Sequence, residues 1–254
     1  MAFKRLLGSL GVGGPLVDTV LTGGPVRPGG ALRGEVRLAG GGTVFRVEHV
    51  TLELAARVEH EHAQGEDVGV LTFARVTLAG GFRLGAGERL ALPFDVTLPW
   101  ETPLTELNGR RLGIVLGVRT ELAVAGARDA GDLDALAVTA LPAQEAVLGA
   151  LGRLGFAFHS ADLERGVIRN TRQSLPFYQE IELRPAPRYA RAMRELEVTF
   201  LAGPKDLHVV LEADKGRPGG GDVLSLHTVP HDDAGRDWSA DADAWIRALL
   251  STRR

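Results

Sequence analysis

From Val17 to about Ala140 the dominant period of the apolar residues is two, and that period limits what the chain can become. Val50, Leu52, Leu54, Ala56 and Val58 alternate with Thr51, Glu53, Ala55, Arg57 and Glu59. Leu90 to Leu98 and Leu112 to Val124 do the same. Successive side chains of a strand point to opposite faces, so each segment offers one face to a core and one to water. Gly23-Gly24, Pro28-Gly29-Gly30, Gly40-Gly41-Gly42 and Gly80-Gly81 separate these segments. The intervening chain is too short for crossover helices, which leaves antiparallel hairpins. The pattern predicts an all-β sandwich of about seven strands or slightly more.

The stretch from Gly126 to Asp134 (GARDAGDLD) reads as a polar turn, followed by a short strand from Ala135 to Leu141. Pro142 then opens a helix with Val147, Leu148, Leu151 and Leu154 on one face and Gly155 placed to stop it. Strand patterns return at Phe156–Ser160, Phe177–Leu183, Glu195–Leu201, Leu207–Ala213 and Val223–Val229, with the glycines of Gly216 to Gly221 as a hairpin loop. A last helix starts near Ser239. Asp241 and Asp243 lie in its first turn, Trp245, Ile246, Leu249 and Leu250 on its apolar side, and Arg253 and Arg254 at its end. Trp245 is read as an anchor of that helix on the second sandwich. The organisation expected is two β-sandwiches in tandem, residues 1–140 and 141–254, with short N-terminal, interdomain and C-terminal helices.

Composition narrows the chemistry. The 254 residues carry 29 basic and 32 acidic side chains, a net charge of -3, so no general field draws the chain to nucleic acid or anionic lipid. Cysteine is absent, which excludes disulfides, thiolate metal sites and thiol nucleophiles. No apolar run reaches the length of a membrane-spanning helix. Near the start, Lys4 and Arg5 precede an apolar stretch that imitates a secretory signal, but glycines and Pro15 interrupt it and no A-x-A site follows. Phe3, Leu6, Leu7 and Leu10 have the spacing of one helical stripe, so a short docked helix is the preferred reading there.

No motif demands an active site. The glycine-rich stretches lack a G-K-[ST] ending and a βαβ setting, and turn chemistry accounts for them. His60 and His62 share a strand face and are placed to share a metal ion, with His49 on the other parity. With no third ligand assured, capping the core at the sandwich rim is the preferred reading of the pair. Asp232, Asp233, Asp237, Asp241 and Asp243 lack the spacing of a calcium loop and read as solvated loop and helix start. Ser9, Ser160, Ser174, Ser225, Ser239 and Ser251 lie outside any nucleophile elbow. Arg184, Arg188, Arg191 and Arg194, interleaved with Pro185, Pro187 and Tyr189, read as a solvated loop and are the surface preferred for an anionic partner. No catalytic, cofactor-binding or metal residue is assigned.

Several strings, taken together and in order, do point somewhere. MAFKRLLGSLGVGGPLVDTVL at the start, Val26–Val36 (VRPGGALRGEV), Leu92–Thr105 (LPFDVTLPWETPLT), Glu145–Phe158 (EAVLGALGRLGFAF), Leu175–Ile181 (LPFYQEI) and Glu195–Leu201 (ELEVTFL) resemble the sporulation-control protein family of bacteria. The resemblance implies an arrestin-like fold, two β-sandwich domains end to end with accessory helices. It also implies a cytoplasmic, regulatory, non-enzymatic protein without cofactors that holds protein partners, with no catalytic residues to carry over. The family also occurs in bacteria that do not sporulate. Free sheet edges suit strand addition by a partner and a homodimer through one edge. The competing expectation is a metal-dependent hydrolase or sugar-binding enzyme on the same scaffold, motivated by His60, His62 and the late aspartates.

Overall fold

A computed structural model describes residues 13–62, 65–125, 130–214 and 223–251, with the backbone alone at 60–62, 65, 66 and 223. In chain order the elements begin with β1 (Leu16–Thr22), β2 (Ala31–Ala39), β3 (Phe45–His62), β4 (Gly65–Leu84) and β5 (Arg89–Thr97). Then come β6 (Glu106–Leu107), β7 (Arg110–Arg111), β8 (Leu116–Val124), β9 (Ala130–Ala135) and helix α1 (Pro142–Arg153). The remainder is β10 (Ala157–Arg165), β11 (Phe177–Arg184), β12 (Glu195–Ala202), β13 (Asp206–Asp214), β14 (Val223–Pro230) and helix α2 (Ser239–Ser251). The predicted N-terminal helix and the Gly216–Gly221 loop lie outside the described residues.

Strands β1, β2 and β5 form an antiparallel sheet in the order β1-β2-β5. Here the alternation works as read: Leu32, Val36 and Leu38 are buried, while Arg33 and Arg37 reach solvent. The second sheet is longer and runs β14-β13-β12-β11-β10-β3-β8-β9, with β4 on the other side of β3. β3 departs from the simple pattern, because Thr51, Glu53 and Ala55 on its outer parity are buried as well. Glu53 is tolerated there because Arg75 of β4 and Arg119 of β8 flank its carboxylate at 3.3 and 3.7 Å. β3 also outruns β8. Its residues from Val47 to Ala56 pair with β8, and Glu59 beyond them makes a parallel bridge to Glu164 of β10.

Three segments differ from their sequence reading: residues 112–115 precede β8 and are not part of it, β10 continues past Ser160 to Arg165, and the region before α1 is rearranged. The end of the presumed polar turn is strand β9, paired with β8 from Leu122↔Ala130 to Gly117↔Ala135. The expected strand from Ala135 to Leu141 makes a single bridge, Val138 to Val26. The misleading residue is Asp132, whose buried carboxylate serves the backbone of β1 and so occupies an inward strand position.

Helix α1 matches its pattern. Pro142 is pre-set for the first turn, Gln144 Oε1 accepts the Leu141 amide at 2.8 Å, and Gly155 ends the helix at φ +98°. Val147 and Leu151 are fully buried. Beyond it β10 to β14 form an antiparallel meander. Leu163, Ile181, Leu183, Leu196, Val198, Val209, Leu211 and Ala213 are buried on one parity of it. Ala242, Ile246 and Leu249 of α2 are buried in the same core.

Candidate functional site

The other face of the meander is unusual. Cross-strand register sets Asp162 opposite Glu180, Glu182 opposite Glu197, Glu197 opposite Glu212 and Glu195 opposite Asp214. Like charges directly opposite one another weaken a ladder, and here four such oppositions share one face. Crowding and loss of hydration change the carboxylates themselves. Burial, reinforced by Glu197, Asp162, Glu164 and Glu212, pushes Glu180 up to about 9. Burial and then the Glu182 charge push Asp162 up to about 7. Tyr178 is raised as well, by burial first and by Glu180 next.

A histidine joins this face through a backbone irregularity. The β10–β11 register shifts between Phe158 and Ser160, and His159 is the extra residue. Bulges commonly re-aim a side chain, and this one sets His159 Nδ1 2.9 Å from Glu195 Oε1 and 3.6 Å from Glu182 Oε2. Ser160 Oγ donates a hydrogen bond to Glu182 Oε2. Two donor groups result: His159, Glu182 and Glu195, and Glu180, Glu197 and Glu212, each with its ligand atoms within 4.8 Å of one another. Nothing in the sequence singled out His159, since its partners lie 23 and 36 residues away and only the register unites them.

The sequence candidates are placed differently. His60 and His62 pair through their backbones with Asp67 and Gly65 at the end of β3, and their side chains lie outside the described residues. The late aspartates are dispersed into separate duties. Asp237 accepts the Ser239 amide at the start of α2 at 2.9 Å, and hydrogen bonds from Ser239 and Arg153 hold its carboxyl down to about 2. Asp241 pairs with Arg236, and Asp243 pairs with both Arg188 and Arg247. Arg191 and Arg194 are exposed, as expected of a solvated loop, and Arg184, also exposed, is the last residue of β11. No helix among the described residues is long and apolar enough to cross a membrane.

A second surface feature is the edge of β4. This strand has 20 residues and, among those described, a ladder partner on the β3 side alone. Val68, Val70 and Val76 are exposed along it, Val70 at 69%. Val70 sits opposite Arg57, whose own amide bonds away from β4 to Val115 O at 3.0 Å. In an antiparallel ladder both members of such a pair point their amides outward, so the amides of Val70 and Val68 face the open edge.

Comparison with known proteins agrees with this architecture. The family described as "SpoOM protein" matches residues 3–217. The sporulation-control protein spo0M of Bacillus subtilis (strain 168) is 34% identical over 214 residues, covering 84% of this chain and 80% of that protein. The crystal structure of Spo0M from Bacillus subtilis superposes with a TM-score of 0.80 at 26% identity, over 94% of this chain and 98% of that one. The all-β, arrestin-like fold implied by the sequence strings is therefore the fold of this molecule. The chain belongs to the Spo0M family of sporulation-control proteins.

Proposed function

We propose that this protein is a cytoplasmic, non-enzymatic regulatory adaptor that holds a partner protein by strand addition along β4. The observation that carries the reading is the open edge of a 20-residue strand whose Val68 and Val70 amides point away from β3. Natural sheet proteins blunt long edges with proline, charge or bulges, because an open row of amides and carbonyls recruits another strand. β4 has such bulges at Phe73 and Leu78, but the stretch between Asp67 and Leu71 that precedes them carries Val68, Gly69 and Val70 and is unblunted. Strand addition draws affinity from main-chain hydrogen bonds and specificity from alternate side chains, and the exposed valines supply the latter. The same edge suits a second copy, which gives a homodimer.

The test is Val70→Pro. Proline removes one outward amide without breaking a rung to β3, so the fold is retained while the edge is blocked. Sedimentation and partner capture are compared with wild type at equal melting temperature. Loss of self-association and of captured protein supports the reading. Retention of both, or an absence of any association in the wild type, overturns it.

A further inference from the structure

We propose that His159, Glu182 and Glu195 form a binding site for a zinc-class divalent cation on the outer face of the C-terminal meander. The proposal is independent of the β4 edge, which lies on a different strand and is tested by a different variant.

Three observations carry it. First, the donors come from three neighbouring strands, β10, β11 and β12, so their positions are fixed by the ladder and not by a mobile loop. Second, the distances suit a metal. Tetrahedral zinc with bonds near 2.0–2.1 Å sets its ligand atoms about 3.3 Å apart. His159 Nδ1 is hydrogen-bonded to Glu195 Oε1 at 2.9 Å and lies 3.6 Å from Glu182 Oε2, so a cation replacing that shared proton finds both oxygens close to the required separation. Third, the donor set has chemistry that plain carboxylates lack. One imidazole nitrogen with two carboxylate oxygens suits zinc, cobalt or nickel, whereas magnesium and calcium seek oxygen alone.

The surroundings support the same occupant. Ser160 Oγ orients Glu182 by a hydrogen bond, the kind of outer contact that metal-bound carboxylates use. Glu197, opposite Glu182, adds negative charge on the same face. Three protein ligands leave a fourth position open to water or to a donor from a partner. The neighbouring group of Glu180, Glu197 and Glu212 has no nitrogen donor and is not part of the proposal.

The experiment uses the full chain, purified without a histidine tag, stripped with chelator, and titrated with zinc chloride and with cobalt chloride. Wild type is expected to bind one equivalent of zinc, and cobalt to show the visible absorption of a low-symmetry site with a nitrogen ligand. His159→Ala and Glu195→Gln are expected to weaken zinc binding by at least about tenfold, while the metal-free variants melt as wild type does. His60→Ala with His62→Ala is expected to bind as wild type. No saturable zinc binding by wild type overturns the proposal, as does undiminished binding by His159→Ala or loss confined to the His60 and His62 variant. Glu195→Gln, which preserves shape and size, serves should His159→Ala fail to fold.

Discussion

Asp132 Oδ2 accepts the backbone amide of Thr19 at 2.7 Å, joining β9 of the long sheet to β1 of the short one. Asp132 Oδ1 takes the Leu133 amide at 2.9 Å, and the Thr19 hydroxyl meets that of Thr120. All three side chains are buried, so these polar groups depend on one another where water is excluded. Asp132→Ala is expected to cost about 2–3 kcal/mol, since it leaves a buried amide without an acceptor. Denaturant melts of the variant beside wild type measure that loss.

Glu180 gives a dependence on pH with a definite sign. Its carboxyl moves from 4.5 to about 9 on folding, so the folded state holds a proton that the unfolded chain releases. This group's contribution is complete below pH 4.5 and declines as pH rises through about 9. Glu180→Gln keeps the neutral shape and removes the penalty. The variant is expected to melt several degrees above wild type at pH 8, with the gap closing toward pH 5, when the two are scanned across that range.

Trp245 anchors α2 by stacking. Its ring lies 4.4 Å from that of His227 on β14 at an interplanar angle of 11°, with Trp238 5.7 Å away. Trp245 is half-buried, and the fully buried neighbour is Ile246. Trp245→Ala is therefore expected to cost about 2–4 kcal/mol, toward the lower end of what a completely enclosed tryptophan loses. A scanning melt tests this; an unchanged midpoint with lost partner capture would reassign the helix to recognition.

Gly29 resists replacement for two reasons. It holds φ +69°, and a Cβ there would lie 2.5 Å from the nearest atom of the Trp100 ring. Trp100 in turn stacks on His231, just after β14, at 5.7 Å. Gly29→Ala is expected to cost about 2–3 kcal/mol by combining backbone strain with displacement of the ring. Its signature is altered tryptophan emission in the still-folded protein.

The alternating parts of β3, β5, β8 and the C-terminal meander were legible, and so were both described α-helices, because a single period or a proline–glycine pair declares them, whereas β4 was not singled out. β9 was hidden because a buried carboxylate imitates a turn residue. The burial of β3 on both faces escaped the period as well, since Glu53 and Thr51 are covered on the face that alternation assigns to water. The carboxylate face and His159 stayed invisible for another reason. Each glutamate, taken alone, is an ordinary outward strand residue, and only cross-strand register and one bulge gather them.

The bridge from Glu59 to Glu164 makes β3 the strand that joins the C-terminal meander to the N-terminal members of the long sheet. Both residues contribute to the field that raises Asp162, so the seam between the N-terminal and C-terminal strands lies inside the crowded charge. Protons or cations taken up by that face relax the repulsion across the seam, and their release restores it. Neutralising that face is therefore expected to strengthen the pairing of β3 with β10.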